Sequence, residues 1–152
     1  MRASEFINLF EEYEDEEQDY SHLRSIDEIK QMLPKLASVA QEVYNDWDED
    51  DRDTYAGGGI CHLIADALVS FFWSLKPEVP ATTVSSDHEQ HVYSVIQVQE
   101  GVYMIDIHHS IYETGGGFTW KKIPNVEFEP NDFTVYKISG DPSEFESITE
   151  QY

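Results

Sequence analysis

Basic residues are scarce in this chain: nine lysines and arginines stand against 31 aspartates and glutamates in 152 residues, a formal net charge of −22. Direct binding of nucleic acid, or of an anionic membrane, through phosphate neutralisation is therefore not expected. Cysteine is scarcer still. The single one, Cys61, excludes any intramolecular disulfide. No N-terminal charged-then-apolar segment precedes a small-residue cleavage site, so a reducing, cytoplasmic setting is the expectation. Apolar runs are short, none approaching the roughly 20 residues that span a bilayer, and no membrane partner is expected. The chain also lacks repeats and low-complexity linkers, and its length suits one domain able to bury roughly 68–70% of its unfolded surface without staples.

What is abundant is acid, concentrated in two runs, Glu11–Asp19 and Asp46–Asp53. The plain reading of both is a solvated helix face and a solvated loop. The sharper readings are a docking surface for a basic protein, mimicry of a nucleic-acid backbone, or adaptation to high salt. Asp46, Asp48 and Asp50 alternate like the start of a calcium loop. Asp51 stands where that loop needs glycine and Gly57 where it needs glutamate, so no specific calcium site is expected.

Periodicity organises the chain as a single α+β domain over residues 1–152, with an acidic helix in 1–20 free to dock or fray, a core in 25–140 and an acidic tail in 141–152. A helix is expected from Ser25, which has capping-box spacing to Glu28, through Leu36 and Val43 to about Trp47, with Pro34 kinking or splitting it. A second, more apolar helix runs from Ile60 to Trp73. Lys76–Pro80 stops it, and the period changes to two. Strands are expected at Ala81–Ser85, His91–Gln99, Val102–His108 and Phe133–Ser139, the middle two joined as an antiparallel hairpin through Gln99–Gly101. In the simplest register His91 pairs near residue 109 and Asp106 near residue 94, so direct contact between the two side chains requires a bulge, a register shift or a water. Glu113–Phe118, with three glycines, is a turn placed to border a cleft.

Chemistry concentrates around Cys61. Three glycines, Gly57, Gly58 and Gly59, precede it and an apolar helix follows. Helix N-termini present unpaired N–H groups and positive dipole, which favour a thiolate, and glycines allow close approach of a substrate. His91 opens one strand and Asp106 lies near the end of the next, so nucleophile, base and orienting acid occur in order. The ordinary role of a lone cysteine on an apolar helix is an inert core residue, and His91 or Asp106 singly would be a strand-end residue. Together they point to a site.

Gly57-Gly-Gly-Ile-Cys-His62, His91-Val-Tyr93 and Tyr103-Met-Ile-Asp106 resemble the transglutaminase-like superfamily, a papain-related group whose triad runs Cys, His, Asp. The likeness covers roughly residues 55–110 and extends to the arylamine N-acetyltransferases that share this core. It implies a central cysteine-bearing helix packed on an antiparallel sheet, with Cys61, His91 and Asp106 catalytic and Gly58, Gly59, His62, Tyr93 and His108 bordering the cleft. The chain departs from the pattern at Tyr93, where members often carry tryptophan, and at His108, where a small hydroxyl residue is common. It offers no upstream glutamine as an oxyanion donor, which leaves only the Cys61 backbone N–H for that role.

The chemistry so implied is acyl transfer through a thioester, by hydrolysis of an amide bond in a peptide or protein, with no cofactor. An imidazolium about 4 Å from a thiolate is worth about 4 kcal/mol at an effective dielectric of 20, enough to hold the pair against a screened acidic surface. The same acidity would draw a basic or amine-bearing substrate. Two other readings compete. Cys61, His88, His91, His108 and His109 are zinc-ligand types, yet their spacing fits no zinc signature and no metal is expected. Alternatively the fold is a non-catalytic scaffold whose acidic surface binds a basic partner or mimics nucleic acid.

Overall fold

A computed structural model describes residues 19–48, 60–86, 91–115 and 120–150. The expected 1–20 helix lies almost wholly outside these residues, as do most of the second acidic run, Gly57–Gly59 and His88.

Ser25 starts the first helix as anticipated: its hydroxyl accepts from the Glu28 N–H at 3.2 Å, satisfying one of the orphan donors of the first turn. The chain is split rather than kinked, giving α1 (Ile26–Gln31) and α2 (Leu33–Asp46). Pro34 falls in the first turn of α2, where its missing N–H costs nothing, so proline begins a helix here. After residues 49–59, α3 (Ile60–Ser74) buries Ile60, Cys61, Ile64, Leu68 and Phe72 at helical spacing. That stripe packs on α2 and on the sheet.

The sheet contains β1 (Ala81–Ser86), β2 (His91–Val98), β3 (Gly101–Ile107) and, after a small ladder of β4 (Glu113–Thr114) with β5 (Lys121–Lys122), β6 (Phe133–Ser139). Its order is β1-β2-β3-β6, and every pairing is antiparallel. A C-terminal helix, α4 (Phe145–Glu150), follows a short 3-10 turn. The mixed α+β class with helices against an antiparallel sheet is therefore as read from the sequence.

Alternation sorts the strand residues onto two faces. Ile96, Val98, Ile105 and Ile107 join α2 and α3 in the main core. Val84, Val95 and Val102 form a smaller cluster on the opposite face, covered by Phe145 and Ile148 of α4. The segment after β5 is tied to α2 through side chains. The Tyr44 hydroxyl donates to the Ile123 carbonyl, and Gln41 bonds both the Val126 carbonyl and the Phe128 N–H. Those ties also steady Tyr112, whose carbonyl accepts from the Ile123 N–H at 2.9 Å.

Candidate active site

The hairpin register decides whether His91 and Asp106 meet. Val98 pairs with Gly101 and Ser94 with Ile105, leaving a two-residue turn at Gln99–Glu100. Continued outward, this register sets His91 opposite His108, two residues from Asp106 and on the same face. The simplest sequence register differs by one residue, and one residue is enough to put the two side chains on opposite faces. With the observed pairing they are diagonal neighbours, a separation that long side chains bridge. No bulge or water is needed in this hairpin: His91 Nε2 lies 2.7 Å from Asp106 Oδ2.

Both partners are buried, His91 at 3% and Asp106 at 7% exposure. The remaining ring nitrogen, Nδ1, is buried without a hydrogen-bond partner among the described residues. Hydrogen bonding and charge from the Cys61 thiol both act to raise the imidazole pKa. Cys61 occupies the first turn of α3 and is itself buried. The structure thus brings Cys61, His91 and Asp106 together at the rim of the sheet, Cys61 from the face that α3 covers and the carboxylate from the α4 side.

Electrostatics follow from that burial. Desolvation is the largest influence on His91 and pushes its pKa down. Hydrogen bonds to Asp106 and Cys61, and the charges of both, outweigh it and hold the imidazole up at about 10. Desolvation raises Asp106, opposed by its bond to His91 and by the charges of His91 and His108. A charged imidazolium–carboxylate pair is the state that this geometry favours.

The residues expected at the cleft divide. Tyr93 stacks on His91 at 6.5 Å between ring centroids, and His108 lies 5.8 Å from His91 on its other flank. His108 also caps the following 3-10 turn, accepting from the Ser110 N–H. His62 does not join them, because it turns along its own helix to Asp66, 3.0 Å away. Gly58 and Gly59 lie outside the described residues. Beside the dyad, a cavity of about 490 Å³ opens on the α4 side of the sheet, bounded by His91, Asp106, Val95, Met104 and Ile148.

Three neighbours escaped the sequence reading as parts of a triad site. His109 has its ring centroid 5.1 Å from that of His91 and 5.2 Å from that of Trp120. Glu113 is buried, and desolvation raises its carboxyl to about 7 although the charge of His91 opposes this. Tyr112 is fully buried, and burial followed by the charges of Cys61, Asp106 and Glu113 pushes its phenol upward. Nothing in the local pattern marks these positions, since β4 and β5 have two residues each and carry no periodicity. Among the described residues no three His, Cys, Asp or Glu side chains converge as a metal site, and no helix is long and apolar enough to cross a membrane.

Fold and site together define an α+β protein with a buried Cys–His–Asp constellation. Comparison of the chain with protein-family models, with curated proteins and with solved structures finds no match.

Proposed function

We propose that this protein is a cysteine-dependent acyl-transfer enzyme with a transglutaminase-like or papain-like core, hydrolysing an amide bond in a peptide or protein. The observation that carries the reading is the buried 2.7 Å contact between His91 and Asp106, with the second ring nitrogen buried and unpartnered among the described residues and the one cysteine acting on the same imidazole. In this mechanism the proton of the Cys61 thiol rests on His91 as the imidazolium, and the thiolate Sγ attacks the substrate carbonyl. His91 returns the proton to the leaving amine, and a thioester remains for water to cleave. Asp106 holds the ring in the tautomer that faces the thiol and stabilises the imidazolium. A basic or amine-bearing substrate suits the net charge of −22, as does a cytoplasmic setting with a single free thiol.

The test is alkylation of Cys61 by iodoacetamide across pH, in the native protein and in His91→Ala. Native Cys61 is expected to react at neutral pH at least about tenfold faster than in the variant, because an adjacent imidazolium favours the nucleophilic thiolate. A slow thiol indifferent to His91 would remove the enzyme reading. The acidity of the chain would then favour the second one, a non-catalytic module that binds a basic partner and releases it as salt rises.

A further inference from the structure

We propose that the Tyr112 hydroxyl is the side-chain hydrogen-bond donor to the oxyanion formed when Cys61 attacks a substrate carbonyl. This rests on the acyl-transfer reading above and supplies the donor that the sequence left unassigned.

Tyr112 is completely buried, and its Oη has no hydrogen-bond partner among the described residues. Such a group is costly: an unsatisfied buried hydroxyl forfeits its hydration without replacement, and phenylalanine would fill the same space without that loss. The ring is well held, its edge on Phe128 at a centroid distance of 6.0 Å and its backbone carbonyl bonded to Ile123. It shares the apolar cluster of Cys61. Burial, and after it the charges of Cys61, Asp106 and Glu113, hold its phenol up. Burial and three acidic neighbours keep the phenol protonated, and a protonated phenol has one hydrogen to donate. A second orphaned donor, Trp47 Nε1, is also buried. That indole sits instead against Tyr44 and Lys122.

The step balances without any further reactant. The Sγ lone pair of the thiolate forms the S–C bond, and the carbonyl π pair moves onto oxygen, where the Tyr112 O–H donates a hydrogen bond without giving up its proton. When the oxygen pair re-forms the carbonyl, the bond to the leaving group breaks, and that group takes the proton from the His91 imidazolium. A preorganised donor in a water-poor site acts on the charge that develops in this step and has little to act on before it.

Two reagents separate this role from simple positioning of the thiol. Iodoacetamide alkylates sulfur by displacing iodide at a saturated carbon and develops no oxyanion, whereas p-nitrophenyl acetate acylates sulfur through one. In Tyr112→Phe the acylation rate is expected to fall roughly 10²-fold, the usual effect of losing one such donor, while iodoacetamide alkylation stays at the native rate. The urea midpoint should be unchanged or higher, because an orphaned hydroxyl has been removed. Equal slowing of both reagents, no slowing of acylation, or a loss that follows Trp47→Phe instead would overturn the assignment. If native Cys61 reacts with neither reagent, the acyl-transfer reading fails and this proposal fails with it. A reactive native thiol with unaltered Tyr112→Phe acylation overturns the proposal alone.

Discussion

Burying several ionisable side chains around one thiol makes this site sensitive to pH, and the sense of each dependence can be worked out residue by residue. Glu113 has an ordinary value of 4.5 and is raised to about 7 by desolvation. The native state therefore binds its proton more tightly than the unfolded chain does. The associated stability is fully present below pH 4.5 and is lost as pH rises through about 7. His91, raised from 6.5 to about 10, loses its contribution over the next window upward. Glu113→Gln removes only the lower of these dependences. Each tenfold tightening of proton binding is worth about 1.4 kcal/mol, so at about pH 8 the variant is expected to be more stable than the native protein by about 2–3 kcal/mol, with the two converging near pH 4.5. Urea unfolding at the two pH values checks it, and parallel profiles would mean that Glu113 is well solvated when charged.

Among the elements, the β2–β3 hairpin does most to assemble the site, and the seating of its second strand against β6 depends on close backbone approach at one glycine. Gly101 begins β3 with φ of +144°, and a Cβ built there would lie 2.0 Å from the Ser139 carbonyl oxygen of β6. Both the conformation and the space exclude a side chain. Gly101→Ala is expected to destabilise the protein by about 2–4 kcal/mol, since backbone atoms of β6 must move. Gly140→Ala is the control: its nearest atom is the Cε end of Lys137 at 3.5 Å, and φ is not in the left-handed region, so little change is expected. Equal chemical-denaturation midpoints for the two variants would show that the β3–β6 edge yields freely.

For the whole molecule the dominant quantity is its charge of −22. Self-repulsion of that size opposes the compact state, and salt screens it over a length that falls from about 30 Å at 0.01 M to about 3 Å at 1 M. The melting temperature should accordingly rise by about 3–6 °C between about 0.02 and 0.5 M sodium chloride, equivalent to roughly 1–2 kcal/mol for a domain of this length. A flat or falling melting temperature would mean that the acidic groups are already far enough apart, or matched closely enough to the basic ones, for repulsion not to matter.

Local chemistry along the chain was sufficient for much of this architecture. Ser25 announces a helix start because its hydroxyl competes for a backbone N–H, and the three-and-four spacing from Ile60 to Phe72 announces a buried helix. Alternating β-branched and aromatic residues mark β2, β3 and β6 to within about a residue. The order Cys61, His91, Asp106 was likewise legible, because residue type and strand ends are properties of sequence. Only the tertiary structure decided that the latter two meet, since a shift of one residue in the turn reverses the facing of every side chain and no local propensity distinguishes the two registers. It alone put His62 on Asp66 rather than in the site, and it alone buried Tyr112 and Glu113. Burial there comes from segments distant in sequence, the 3-10 turn at 109–111 and the stretch from Ile123 to Phe128 held by α2, and desolvation of a side chain is a property of whatever packs around it.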